Sequence, residues 1–511
     1  MSRFFHNGIS VQCWLAASLC YFCKKRDTPT AKPHFLRYNF AMLTHFRYSG
    51  LPEMTSVMRK IRYYLRHKGH QTWRLSRKSL EFACLLLGAA WVALFSLGFA
   101  LLADLGLEWN AHWTTQHPYT AWLVLPLGMT ALAWFTAKYA PYVAGSGIPQ
   151  VITSIGLPHG ANKTRLVAFT QTLWKIPLTF LAMLLGASVG REGPSVQVGA
   201  AVMLAWGNFC RKHNIAFKGL SANQLMATGA AGGLAAAFNA PLAGVIFAIE
   251  ELGRGVLLRW ERQVLLGVLA SGFIVVALMG NNPYFPHYSG ATGVPQMYLW
   301  VLLCAAVCGL FGGLFARLLG KGLAAYSPAK WRGWIRRHPL WIAFLLGLVL
   351  AALGSYSNGN TYGTGYDVVT HLLHDAPLQT EGLGIAKLFA TVATYWTGIA
   401  GGIFTPALTI GASLGAQIWE VSGGAVDQRL LVLLSMAAFL AAATQSPVTA
   451  SVVVMEMTGS QPVLFWLLVC SLLASLLSRQ FCPKPFYHFA AGRFRQRILE
   501  NSAESGAQNK A

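Results

Sequence analysis

Six stretches of this 511-residue chain run for 15 to 22 residues without a charged side chain: 82–103, 119–137, 264–280, 296–316, 341–356 and 463–477. About 20 apolar residues are needed for a helix to cross a bilayer. Composition points the same way, with 11% of residues charged and 54% hydrophobic. A soluble globular chain carries about 25% charged residues, and so few charges would leave too little polar surface to stay dissolved. A disordered chain, a collagen-like repeat and a soluble multidomain enzyme are excluded. Between residues 165 and 260, and again between 382 and 459, the apolar runs are shorter and interrupted by Gly and Pro. Gly totals 51, as expected where helices pack closely in lipid or break at mid-depth. The expected class is an all-α polytopic membrane protein.

The net charge of +23 is unevenly placed. Residues 1–78 hold 15 Lys/Arg and two acids, Asp27 and Glu53, and so account for 13 of those charges. Beside a membrane helix such a basic run follows the positive-inside rule rather than marking a nucleic-acid surface. Both termini are therefore expected in the cytoplasm, since Arg493, Arg495 and Arg497 follow the last apolar stretch. Residues 1–53 lack a clear cleavage site, and Met54 is an alternative start; no function is assigned before it. The expected organisation is a basic segment at 1–78, a transmembrane domain at 79–490 and a cytoplasmic tail at 491–511. Of the nine cysteines, Cys84, Cys210, Cys304, Cys308 and Cys470 lie in apolar helical context and read as small hydrophobes. Cys20 and Cys23 form a lone CxxC with no second pair.

The chain also repeats itself. Leu234-Ala-Ala-Ala-Phe-Asn-Ala-Pro241, with Glu250 nine residues on, returns 206 residues later as Leu440-Ala-Ala-Ala-Thr-Gln-Ser-Pro447 with Glu456. Gly190, Pro194, Gly199 and Ala200 return 212 residues later as Gly402, Pro406, Gly411 and Ala412. Two repeats are expected, at roughly 79–280 and 295–490. Repeated apolar segments interrupted by Gly and Pro mark transporters whose broken helices meet near the midplane. The similarity leaves open whether the repeats are parallel or inverted.

Three turns carry the chemistry: Gly145-Ser-Gly-Ile-Pro149, Gly190-Arg-Glu-Gly-Pro194 and Gly401-Gly-Ile-Phe-Thr-Pro406. Each sets Gly before a Pro suited to the first turn of a helix. Each thus reads as an unwound loop feeding a helix N-terminus, whose free N–H groups and partial positive charge bind anions. One such motif reads equally well as a tight turn between packed helices; three together point to an anion site. A Lys or Arg at mid-bilayer would cost roughly 2.5–3.5 kcal/mol and would hold the anion too tightly to release it.

With Ala227-Thr-Gly-Ala-Ala-Gly-Gly-Leu-Ala-Ala-Ala-Phe-Asn-Ala-Pro-Leu-Ala-Gly244 and Lys484-Pro-Phe-Tyr487, these motifs make residues 80–490 resemble the CLC chloride channels and chloride/proton exchangers. The resemblance implies a CLC-type inverted-repeat bundle of tilted and partly non-spanning helices, assembled as a homodimer with one anion path per subunit. It implies that Ser146 and Tyr487 offer hydroxyls to a central chloride, and that Ile403 and Phe404 offer backbone N–H groups. Glu192 matches the gating glutamate and external proton-transfer group, a carboxylate able to occupy an anion site until protonation releases it. Glu251 matches the internal proton-transfer glutamate of exchangers; a solvated acid at a helix end is the alternative. Glu456 has no comparable role and reads as structural. Ser146, where nitrate-specialised relatives carry Pro, points to chloride. One departure stands out: relatives pair the residue at Lys175 with a carboxylate at the position that here is Ile152, and a buried unpaired lysine is costly.

Only 24 residues follow Tyr487, too few for the paired nucleotide-binding (CBS) domains of many eukaryotic relatives, so a prokaryotic-type chain of the cell (inner) membrane is expected. The expected function is chloride/proton exchange, with a passive voltage- or pH-gated chloride channel as the alternative. An enzyme is not expected: Gly320-Lys-Gly322 lacks the Ser/Thr of a phosphate-binding loop, and no His-Glu-x-x-His is present. No cofactor, metal or nucleic-acid partner is implied; the partners are chloride, protons, lipid and a second copy of the chain.

Overall fold

The computed structural model describes residues 52–158, 161–217, 219–254, 262–290 and 295–508. Cys20, Cys23 and the rest of 1–51 lie outside them, as do the side chains of Arg497 and of nearly all of residues 52–77. The chain divides into two units, Met1–Ser76 and Arg77–Ala511. Of the first, only the helical course of 52–76 is described; the second holds the helical domain.

The helices that build the domain are, in order, α1 (Pro52–Gln116), α2 (Ala121–Tyr139), α3 (Ile148–Gly156), α4 (Lys175–Leu184), α5 (Glu192–Lys212), α6 (Ala222–Phe238), α7 (Pro241–Phe247) and α8 (Arg262–Met279). They continue as α9 (Met297–Lys321), α10 (Pro339–Tyr356), α11 (Tyr366–Leu373), α12 (Leu383–Trp396), α13 (Phe404–Val421), α14 (Gln428–Thr444), α15 (Pro447–Thr458) and α16 (Leu464–Phe481). A last helix, α17 (Phe486–Gln508), follows both sets.

The six uncharged stretches fall on the six helical segments that, among the described residues, are each long and apolar enough to cross a membrane: Lys78–Gln116, Pro118–Tyr139, Arg262–Met279, Met297–Lys321, Pro339–Tyr356 and Gln461–Phe481. No more than half of each apolar window is buried, and Leu101, Leu123, Trp134, Leu302, Leu345 and Phe465 point outward. The shorter helices are different. Every residue of α14 except Arg429 is buried, and α6 is buried from Gln224 to Phe238. Long helices thus form a lipid-facing shell around short, interrupted ones. That layering explains the two hydropathy regimes: a helix buried all round needs no membrane length.

The second eight helices reproduce the first eight, with α9–α16 following the order of α1–α8. Helix starts recur at 218 residues (Ile148 to Tyr366), 212 (Glu192 to Phe404) and 206 (Ala222 to Gln428, Pro241 to Pro447). The halves interlock, with α2 on α10 and α7 on α15. Gly190 and Gly402, equivalent residues, exchange two backbone bonds of 2.7 Å each in an antiparallel pair, the reciprocity that a two-fold relation between repeats requires. The inverted-repeat bundle expected from the resemblance is the observed fold.

In lipid, helices associate by close packing more than by a hydrophobic drive, and small residues let backbones approach. At Gly233 an added Cβ would sit 2.5 Å from the Ser195 carbonyl oxygen, and at Gly415 of the second repeat 2.5 Å from that of Leu431. The α5–α6 and α13–α14 contacts are both backbone against side-chain-free backbone. Gly233→Val should therefore destabilise the domain by about 1–3 kcal/mol or more. Gly98→Val, at a position with open space around it, should stay within about 0.5 kcal/mol. Thermal unfolding of the purified protein in detergent distinguishes the two.

Candidate functional site

The three Gly/Pro turns lie apart in sequence but are joined backbone to backbone. Gly145 N–H donates to the Ile399 carbonyl at 2.8 Å and the Gly145 carbonyl accepts from Gly401 N–H at 3.1 Å, while Gly190 and Gly402 pair as above. The loop before α13 thus bonds the first motif on one side and the second on the other. Helices α3, α5 and α13 begin at Ile148, Glu192 and Phe404, immediately after these turns. Three N-termini, each with unpaired backbone N–H groups, are gathered at one place. The close approach needs Gly147: its φ of +106° is outside the range most side chains adopt, and a Cβ there would stand 2.6 Å from the Gly193 carbonyl oxygen.

Of the site residues expected from the sequence, Ser146, Glu192, Ile403, Phe404 and Tyr487 are buried there. Ser146 and Tyr487 are each 1% exposed; their hydroxyls face each other without completing a hydrogen bond, and neither has another partner among the described residues. Ile403 caps α13 and Phe404 opens it. Glu192 is fully buried at the start of α5, its carboxylate against Gly190 and Thr405 and both oxygens without a hydrogen-bond partner among the described residues. Any side chain at Gly190 would strike that carboxylate.

Glu251 sits in a widened helical turn, Ala248–Leu252, that ends α7. Such turns push a residue out of helical register. It is 1% exposed, which removes the solvated-acid alternative. Oε2 accepts a bond from the Ser446 hydroxyl, and Oε1 has no hydrogen-bond partner among the described residues. Tyr487 lies within electrostatic reach of both Glu251 and Glu192.

Lys175, expected to lack its carboxylate, is solvated by backbone instead. Its Nζ donates to the carbonyls of Val143 and Gly145, both at 2.6 Å, and so braces the loop that carries Ser146. Its equivalent 212 residues on is Lys387, whose Nζ donates to the carbonyls of Thr361, Tyr362 and Gly363 at 2.9, 3.0 and 2.9 Å ahead of α11. The same offset that aligns Gly190 with Gly402 aligns these lysines, so Lys387 was open to detection in the sequence. Neither forms a carboxylate ion pair among the described residues.

The acids Glu250 and Glu456, equivalent at an offset of 206, exchange roles across the repeats. Glu456 accepts from the N–H groups of Leu242 and Ala243 at the start of α7, and Glu250 from those of Val448 and Thr449 at the start of α15. Each neutralises the positive end of the other repeat's short helix. Arg191, also unassigned from sequence, is buried beside Glu192, pairs with Asp104 and lies 5.7 Å from the Tyr284 ring. Tyr284 in turn packs on Phe238 and Tyr366, and Phe238 on Phe404.

The comparisons with known proteins agree with this geometry. The model of the voltage gated chloride channel family matches residues 127–479, and the chain belongs to that family. Among solved structures, a slow cyanobacterial Cl−/H+ antiporter is 25% identical with a TM-score of 0.67, covering 82% of this chain and 98% of that one. A CLC-type fluoride/proton antiporter is 23% identical with a TM-score of 0.61, covering 79% and 96%. A eukaryotic CLC transporter is 20% identical with a TM-score of 0.63, covering 82% and 74%. An uncharacterized protein of Haemophilus influenzae is 67% identical over 88 residues, 17% of this chain and 90% of that protein.

Replacing either buried lysine by methionine strands its carbonyls, and a buried unsatisfied polar group costs about 1–3 kcal/mol. Lys175→Met and Lys387→Met should both lower the unfolding temperature in detergent, Lys387→Met by more because three carbonyls are stranded rather than two. A wild-type melting temperature for Lys387→Met would show its ring of carbonyl bonds to be dispensable.

Proposed function

We propose that this protein is a multi-pass membrane transporter that exchanges chloride for protons. The observation that carries this reading is the convergence of three helix N-termini on buried hydroxyls with no partner, beside a buried carboxylate. Amide and hydroxyl donors replace part of a halide's hydration shell, and their partial charges attract an anion without the full cation that would trap it. In this reading chloride accepts from the Ser146 hydroxyl, the Tyr487 phenol and the N–H groups of Ile403 and Phe404.

Glu192 belongs to the same place, an anion held against the start of α13. Ionised, it competes with chloride for the helix termini. Protonated, it loses that attraction and yields the site, which ties the passage of one ion to the other. Glu251 supplies the proton route on the opposite side of Tyr487. The Cl−/H+ antiporter activity of the cyanobacterial relative supports exchange, and the Ser at 146 supports chloride as the anion.

The remaining assignments rest on general chemistry. The basic excess before the first span supports cytoplasmic termini and an inner-membrane location. A homodimer with one path per subunit, no cofactor and no enzymatic activity complete the proposal.

Coupled flux in reconstituted liposomes tests it: an imposed chloride gradient should drive protons uphill. Glu192→Ala should keep chloride flux and abolish proton movement, and Glu251→Gln should also uncouple protons. Chloride flux without any coupled proton flux in the wild type would replace the exchanger with a passive chloride channel. Intact coupling in either variant would remove that residue's role.

A further inference from the structure

Between Glu251 and solvent stands a side chain that the exchange scheme does not use. His488 follows Tyr487 in the first turn of α17. Its side chain is 20% exposed, whereas that of Glu251 is 1% exposed. Nε2 lies 3.1 Å from the Glu251 backbone carbonyl oxygen and 3.6 Å from Glu251 Oε1, the carboxylate oxygen with no hydrogen-bond partner. A carbonyl oxygen only accepts, so the ring proton is on Nε2 and Nδ1 is left as the acceptor. One face of the imidazole thus addresses a buried carboxylate, and the ring reaches partly into solvent.

We propose, on the exchanger reading above, that His488 is a proton-transfer residue linking solvent on its side of the membrane to Glu251. Nδ1 takes a proton from water and forms an N–H bond. The Nε2–H bond then breaks as its proton forms an O–H bond to Glu251 Oε1, after a ring tilt that closes the 3.6 Å gap. The ring is left as the other neutral tautomer and resets by rotation or by exchange with water. Charge and protons balance, and no other reactant is needed.

The surroundings suit a group that picks up protons and passes them on. Burial, and after it the Arg254 cation, hold the imidazole below its ordinary pKa of 6.5, although the bond to the Glu251 carbonyl opposes them. The ring is therefore neutral at pH 7, and an acquired proton is readily given up. The charged and titratable groups near it are Glu251 and Arg254 from the turn after α7, and Tyr487 on its own helix. Of the elements packed on α17, α3 has no titratable residue and the end of α14 nearest Gln445 has none. From α9, Arg317 and Lys321 face Cys482, and Lys484 precedes α17.

The test is His488→Phe in liposomes, scored for proton and chloride flux together. Coupled proton flux should fall about a hundredfold, the low end of what a positioned acid–base group contributes, and should lose its dependence on pH below 6.5 on the His488 side. In a Glu192→Ala background, where chloride flux no longer needs protons, the same substitution should change the chloride rate by less than about twofold. Imidazole added on that side should restore proton flux to His488→Gly. Wild-type proton flux in His488→Phe, an equal loss of chloride flux in the Glu192→Ala background, or no rescue by imidazole would each overturn the proposal. The exchanger reading fails separately, if the wild type moves chloride with no coupled protons at all.

Discussion

Everything at the centre of this protein depends on pairing backbone groups that leave their helices in a place without water. A freed N–H or C=O in hydrocarbon costs several kcal/mol, so irregular backbone survives only where the protein itself supplies partners. Here the broken segments supply them to one another. The turn at Gly401 and Gly402 takes one motif on each side, and the Gly145 and Gly190 loops complete their hydrogen bonds on it. Carbonyls left over on the two Gly-rich loops ahead of α3 and α11 are taken up by Lys175 and Lys387. The gathering of helix ends is a consequence of this pairing: once the loops are joined, the N-termini beyond them must converge.

The same constraint explains why the repeats are reciprocal. A two-fold relation lets each half satisfy what the other leaves open. Gly190 and Gly402 exchange equivalent bonds, and Glu250 and Glu456 cap each other's short helix. Among the seventeen helices named above, α17 has no counterpart, since it comes after both repeats. It delivers Tyr487 to Ser146 and His488 to Glu251, so the chemistry breaks the symmetry that the scaffold keeps. The two buried carboxylates differ accordingly: Glu192 lies at the start of α5 among helix termini, Glu251 at the end of α7 beside a hydroxyl and an imidazole.

Much of this was legible before folding. The six spans appear as uncharged runs because lipid leaves no room for charge, and the three site loops appear as Gly before Pro because Gly permits a close backbone approach and Pro suits the first helical turn. The repeat offsets placed Glu250 opposite Glu456, and the second offset relates Lys175 to Lys387. What these residues touch was hidden. Lys175 forms no carboxylate ion pair among the described residues, and no local pattern announces that two backbone carbonyls 30 and 32 residues away take its place. His488 carries no signal either, since a single histidine after an aromatic residue is common at a helix start.

The sequence by itself determined the solvent, the helices, their break points and the pairing of halves. These are local or periodic properties, written in hydropathy, in Gly/Pro geometry and in spacing. Tertiary structure alone decided which helix ends meet, which buried polar atoms keep no partner and which acid faces an imidazole. Those outcomes depend on backbone groups and side chains brought together across 195 residues for Glu251 and Ser446, and 237 for Glu251 and His488. Nothing in the chemistry of one segment specifies its partner at that range; the packing of both repeats does.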